Sequence, residues 1–278
     1  MAFKQYVRAE IAAGLDETHQ LETWAADAPG RRYYDAHLWA IEEHETCVPT
    51  LRRILNGTGK RILDSGCGTG RWMAFFQRLG HAAVGVDDSA GALRLARAHD
   101  AELPLVRADV VAGPFKDASF DAVFSSYVAE HFENGPAALL DEIRRVLRPA
   151  GLLFFIVPYN NLFRRLLTNH ALRLYCALRR LRRRPVAFTE FRYSVREITR
   201  LVEGAGFHVE HAEPDDFRPP WGKALSLDLG PLVRAATGGP GTWELNRVGR
   251  LLARALNAIS PWVCAAGILV VARARDTR

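Results

Sequence analysis

Three carboxylates and three glycines are the residues best placed to do chemistry. Asp64 stands just ahead of Gly66, Gly68 and Gly70, which alternate with Cys67 and Thr69. Asp87, with Asp88 beside it, follows seventeen positions after Gly70, and Asp109 with Val110 comes further on. Glycines adopt positive φ without penalty and let a ligand approach the bare backbone. A carboxylate can accept from two ribose hydroxyls, accept from an exocyclic amine, or pair with an ammonium group. A phosphate would be repelled by this many acids. No lysine follows Gly70, which argues against a P-loop nucleotide hydrolase. The expected ligand is a nucleoside carrying positive charge. The spacing is GxGxG, whereas dinucleotide oxidoreductases use GxGxxG.

These residues meet only if the chain alternates strand and helix. "RILDSG" is a short apolar run ending in a glycine turn, and "RWMAFFQRLG" reads as a helix closed by Gly80. "AAVGVDDS" is a second strand ending at Asp87, "AGALRLARAH" a helix, and "LPLVRADV" a third strand ending at Asp109. "FDAVFSSYV" is a fourth strand, "AALLDEIRRVLRPAG" a helix ended by Pro149 and Gly151, and "LLFFIVPYN" a fifth strand. Such alternation predicts a parallel sheet covered on both faces, with right-handed crossovers. The glycine turn and the strand-end acids then lie together at the carboxyl ends of the strands, beside a helix N-terminus. Beyond Tyr159 the rhythm breaks. "YSVREITRLVEGAGFHVEHAEP" reads as a helix with a Ser194/Glu197 capping box followed by a strand. Residues 214–262 are irregular apart from a helix near 243–258, and "AAGILVVARA" is a final strand.

Taken in order, "LDSGCGTG", "VGVDDS", "RADV", "FDAVFSSYVAEHF" and "RRVLRPAGLLFFIVP" resemble the class I S-adenosylmethionine-dependent methyltransferases over residues 61–158, and "EITRLVEGAGFHVE" is similar to that family's sixth strand and its preceding helix. The resemblance implies an α/β fold: a doubly wound, mostly parallel seven-stranded, Rossmann-like sheet with an N-terminal helical cap and helical insertions. It implies S-adenosyl-L-methionine as cofactor. Asp64, Gly66, Gly68 and Gly70 would cradle its methionine part, Asp87 its ribose, Asp109 and Val110 its adenine, and Tyr127 would line the site; Cys67 and Asp88 belong to the same cofactor-binding set. One domain is expected: cap 1–57, cofactor core 58–159, basic amphipathic helical insertion 160–192, core helix and strand 193–213, second insertion 214–261 and final strand 262–278.

Methyl transfer needs few protein groups, because the sulfonium methyl is already electrophilic. His131 in "YVAEHF" is the candidate general base, with packing as its plainer role. Tyr159 is the second catalytic candidate, and Tyr159 and Asn160 end the fifth strand where an acceptor would sit. Glu190, Arg192 and Tyr193 either reach the pocket or serve in capping and surface pairing. Trp39 and Trp221 read as core or lid packing. No acid and Asn cluster suggests a metal. O- or N-methylation of a small-molecule or lipid-like acceptor is the expected activity. The alternatives are an RNA methyltransferase and a catalytically silent cofactor-binding partner subunit.

The 278 residues are 49% hydrophobic, enough for a sizeable core. Cys47, Cys67, Cys176 and Cys264 stand far apart with no metal-type spacing, which fits a reduced, cytoplasmic protein. No signal peptide or spanning segment is expected. Residues 160–185 hold eight arginines and no acid, so they more than account for the net charge of +6. Phe163, Leu167, Ala171, Leu174, Leu178 and Leu181 share one helical face there. That face is expected either to pack as a lid with the arginines solvated, or to dock residues 162–184 on an anionic membrane surface at the inner face of the membrane. Nucleic acid is not the expected partner, since stacking aromatics are not interleaved with the arginines. The oligomeric state is not readable.

Overall fold

Apolar runs long enough to be buried on both faces build the sheet, and amphipathic helices close over it. The computed structural model describes residues 2–8, 41, 45–219 and 245–275. Their elements run β1 (Phe3–Arg8), α1 (Val48–Ile54), β2 (Arg61–Ser65), α2 (Arg71–Arg78), β3 (Ala82–Asp87), α3 (Ala90–His99), β4 (Leu105–Arg107) and β5 (Phe120–Ser126). After a 3-10 turn at Ala129–His131 come α4 (Ala137–Val146), β6 (Leu147–Pro158), a π-helical turn at Arg164–Thr168 and α5 (Asn169–Leu181). Then follow β7 (Val186–Arg192), α6 (Val195–Gly204), β8 (Phe207–Asp215), α7 (Arg247–Ile259), a helical turn at Pro261–Cys264 and β9 (Gly267–Ala274).

Seven strands form one sheet in the order β4-β3-β2-β5-β6-β9-β8. The pairs β2–β3, β2–β5, β3–β4 and β5–β6 are parallel. The order reverses at β2, so β2 and its neighbour β5 flank the switch point where open α/β sheets bind ligands. Ile62, Leu63, Val123, Phe124, Leu153–Val157 and Ile268–Ala272 are buried without the alternation of a half-exposed strand, as two-sided coverage demands.

By internal contacts the chain divides into two compact units. The first comprises Pro49–Val157, Val195–Glu213 and Leu269–Arg278; the second comprises Met1–Val48, Pro158–Ser194 and Pro214–Ile268. In the first, α2 buries Trp72, Met73, Phe75 and Phe76. The Trp72 ring lies 4.6 Å and the Phe76 ring 5.4 Å from that of Phe124 on β5, so this aromatic cluster fixes α2, and with it the turn preceding α2, against the sheet. In the second unit β1 and β7 pair antiparallel, from Phe3↔Arg192 to Arg8↔Val186. Arg164 is buried there, its guanidinium donating to the carbonyl of Tyr159 at 2.6 Å.

Three expectations change. Residues 3–8, expected within a helical cap, are strand β1, and the end of the insertion expected to be helical is strand β7; each needs the other, far away in sequence, for its ladder. The helix expected to reach 151 stops at Val146, because Pro149 cannot donate to a helical ladder and Ala150 sits at φ 57°. The apolar stripe of the basic insertion does not pack inward: Leu167, Leu174, Leu178 and Leu181 are exposed while Arg164 and Arg179 are buried. Most of the expected cap, with Trp39, and much of the second insertion, with Trp221, lie outside the described residues. Among the described residues no helix is long and apolar enough to cross a membrane.

Candidate functional site

The glycine turn is pinned to its neighbours before any ligand is considered. The N–H groups of Gly66 and Cys67 both donate to the Val86 carbonyl, at 2.8 and 3.0 Å, so β2 leaves the sheet against the end of β3. Gly66 has φ 83°, and a Cβ there would fall 2.2 Å from Val128 Cγ2. Only glycine fits, and the contact seats the turn following β5 on the turn following β2. At Gly68 a Cβ would meet nothing within 4 Å, which leaves space for something to lie over the backbone.

Asp87 holds this turn from the end of β3. Its Oδ2 accepts from Gly68 N at 2.8 Å and its Oδ1 from Ser89 N at 2.9 Å. A carboxylate carries about four lone-pair sites, so one group can both tie a turn and accept from ligand hydroxyls. The Asp87 carbonyl accepts from Ala108 N at 3.1 Å, bringing the end of β4 alongside. Asp109, exposed, follows at once; its Oδ1 accepts from Val111 N at 3.0 Å in a local turn. Val110 lines the same small cavity as Leu63, Ser65 and Val86. Arg145 fixes the chain beyond: it donates to Glu142, to Asp117 and to the carbonyl of Phe115, at 2.7, 2.6 and 2.7 Å. Asp88 is exposed, and its carbonyl accepts from Arg107.

Asp64 is the electrostatic anomaly. It is buried, and its Oδ2 has no hydrogen-bond partner among the described residues. Burial first, then the neighbouring Asp87, pushes its carboxyl up to about 8, against the opposing pull of Arg71. A buried, unsatisfied acceptor is rare in folded proteins and calls for a donor. An ammonium group fits: it donates and returns the missing charge. S-adenosylmethionine therefore suits the residues present, with an amine for Asp64, hydroxyls for Asp87 and open backbone at Gly68. Cys67 is not a nucleophile here. Burial, then Asp64 and Asp87, raises its thiol well above the usual range, and its side chain packs where a Cβ on Gly85 would go.

Tyr127 sits at φ 55°, a left-handed conformation unusual for a tyrosine, with its N–H donating to the Ile156 carbonyl at 2.9 Å. The 3-10 turn then buries Glu130 and exposes His131, whose Nε2 lies 3.9 Å from Glu130 Oε1. Asp64, the glycines, Asp87, Asp109, Tyr127 and His131 all belong to the first unit.

Tyr159 belongs to the second unit, where its ring meets Trp262 edge-on at 5.1 Å. Burial raises its phenol, with Arg165 opposing. Asn160 Oδ1 accepts from Asn169. Glu190 pairs with Arg192 at 2.8 Å on their own strand, and Tyr193 is buried and bridged to Tyr159; pairing and packing account for all three.

Ser89, Val128 and Arg145 escaped the sequence reading. Ser89 also caps α3, accepting from Ala92 N at 3.1 Å, so a serine ahead of a helical run was a usable signal. Val128 acts through a distant partner and left none; for Arg145 the i,i+3 pair with Glu142 was readable, but its bonds to Asp117 and the Phe115 carbonyl were not.

A family profile described as "Methyltransferase domain" matches residues 63–155, all within the first unit. A malonyl-[acyl-carrier protein] O-methyltransferase of Erwinia pyrifoliae is 37% identical over 131 residues, covering 47% of this chain and 49% of that protein. A demethylmenaquinone methyltransferase of Clavibacter sepedonicus is 38% identical over 145 residues, covering 51% and 52%. The chain thus spans about half the length of these curated relatives. Among solved structures, the Burkholderia thailandensis 1,6-didemethyltoxoflavin-N1-methyltransferase, with bound 1,6-didemethyltoxoflavin and S-adenosylhomocysteine, superposes with a TM-score of 0.54 at 17% identity, covering 97% of this chain and 91% of that one.

Proposed function

We propose, on the premise that residues 63–155 form a class I S-adenosylmethionine-dependent methyltransferase domain, that this protein methylates an oxygen or nitrogen of a small-molecule or lipid-like acceptor. The observation that carries the reading is the buried Asp64, whose Oδ2 has no hydrogen-bond partner among the described residues, beside a glycine turn open at Gly68. When bound, the cofactor supplies an electrophilic methyl on a sulfonium. The chain's own residues do the rest. Asp64 takes the ammonium, Asp87 the ribose hydroxyls while still tethering Gly68 and Ser89, and Asp109 with Val110 the adenine. Cys67 and Asp88 keep supporting places in that set, and Tyr127 lines it.

Holding the acceptor in line supplies on the order of 7–11 kcal/mol through effective molarity. His131 is proposed as the base that removes the acceptor's proton, adding about 10²–10⁴-fold, with Glu130 steadying the charged ring. Tyr159, in the second unit, is the second catalytic candidate, its phenol kept protonated by burial. The relatives' names span malonyl-[acyl-carrier protein] and demethylmenaquinone, which supports this breadth of acceptor. A cytoplasmic setting is part of the proposal.

The test is calorimetry on ligand-free protein with S-adenosylhomocysteine, then transfer of tritiated methyl into metabolite, lipid and RNA fractions of extract. Binding and a labelled metabolite or lipid are expected. Absence of binding ends the reading; binding without transfer makes the protein a silent partner subunit, and label lost on nuclease treatment makes it an RNA enzyme.

A further inference from the structure

Two helices of the second unit show the same unusual layout. On α5, Leu174, Leu178 and Leu181 recur at three- and four-residue spacing, with Leu174 63% and Leu181 80% exposed. The face turned inward is Asn169, Cys176 and Arg179. On α7, Val248, Leu251 and Ile259 form a stripe, with Leu251 64% and Ile259 78% exposed, while Gly249 and Ala253 face in. Both helices also carry exposed arginines: Arg173 and Arg180 on α5, each about one 100° step from a stripe leucine, and Arg247 and Arg254 on α7. Contiguous exposed apolar stripes commonly mark interaction surfaces.

No Asp or Glu occurs in residues 160–189 or 245–275. Between β1 and α5 lies a cleft of about 320 Å³, lined by Phe3, Lys4, Tyr6, Arg173, Cys176 and Arg180 among others and by no carboxylate. The Arg173 guanidinium stands 5.4 Å from the Phe3 ring and that of Arg180 5.2 Å from Tyr6. Aromatic faces thus hold two cations beside the leucine stripe.

We infer that the second unit docks on an anionic phospholipid surface through the outward faces of α5 and α7. The leucines enter the boundary between headgroups and acyl chains, and the exposed arginines meet lipid phosphates, the cleft between β1 and α5 taking a headgroup. Apolar residues flanked by basic ones on a helix lying in the interface are the arrangement that binds such surfaces. A second copy of the chain fits less well, because it would set one acid-free, arginine-bearing face against another. The inference is independent of the methyl-transfer reading.

The full chain is mixed with phosphatidylcholine vesicles, with and without phosphatidylglycerol, and followed by flotation. Binding only to the phosphatidylglycerol vesicles, weakening as salt rises, is expected. The triple change Leu174→Gln, Leu178→Gln and Leu181→Gln should lower partitioning at least about tenfold, as should Val248→Gln, Leu251→Gln and Ile259→Gln. Arg173→Glu with Arg180→Glu should cost at least about fivefold for each charge. These side chains are exposed, so the thermal midpoint and S-adenosylhomocysteine affinity should hold, which separates this outcome from misfolding and from any failure of the cofactor reading. No binding to the anionic vesicles, or binding indifferent to the leucine changes, overturns the inference. So does a concentration-dependent dimer that the leucine changes dissolve while vesicles are ignored.

Discussion

The proposed ammonium role of Asp64 would couple protonation to ligand binding. A free aspartate titrates near about 4, whereas burial first and Asp87 second push this one up to about 8. Between those values the folded protein keeps a proton that the unfolded chain has shed, so the group's contribution to stability falls as pH rises through that window and levels off above about 8. An ammonium group needs the ionised carboxylate, so binding below pH 8 expels the proton. Affinity for S-adenosylhomocysteine should rise between about pH 6 and 8, by at most about tenfold per unit. Calorimetry in buffers of different ionisation enthalpy should register the released proton, and Asp64→Asn should abolish that release. A flat affinity profile in the unaltered protein would remove Asp64 from the ammonium role. Asp87→Ala should weaken cofactor binding by about 1–3 kcal/mol. It should also lower the thermal midpoint, because the tethers to Gly68 and Ser89 are lost with it; unchanged affinity would speak against the assignment.

At the scale of elements, what the sequence displayed was whatever is local. The apolar runs ending in Asp64, Asp87 and Asp109 are strands β2 and β3 and the end of β4, because a two-sided sheet writes itself as uninterrupted hydrophobicity. The pairing of β1 with β7 was hidden: alternation in so short a segment as "FKQYVR" is weak, and its partner lies far along the chain. Helical spacing showed that α5 has an apolar stripe but not which face the protein would bury. The need for glycine at position 66 is now explicit, since Val128 occupies the place of its side chain. Gly66→Ala should cost about 1–3 kcal/mol of stability, the usual range for strained backbone, and should displace the turn after β5 enough to weaken cofactor binding; denaturant titration with calorimetry reads both. Arg145→Leu strands Glu142 and the Phe115 and Gly113 carbonyls. It should destabilise by about 1–3 kcal/mol and loosen the segment carrying Asp109 and Val110, seen as faster amide exchange there.

For the molecule as a whole, the division of labour follows the two units. The profile match, the carboxylates and the glycine turn fall in one; the arginines, the exposed leucines and the β1–β7 ribbon fall in the other. The first should therefore respond to ligand and the second to lipid: saturating S-adenosylhomocysteine should protect amides of β2, β3 and the turn after β5 from exchange, and anionic vesicles those of α5 and α7. Strand order adds a constraint that acts during synthesis. Because β9 lies between β6 and β8, a nascent chain emerging from the ribosome has β6 with one bare edge and β8 with no neighbour until residues 267–274 appear. Stalled or truncated products lacking β9 would present that edge to one another, as unpaired strands do.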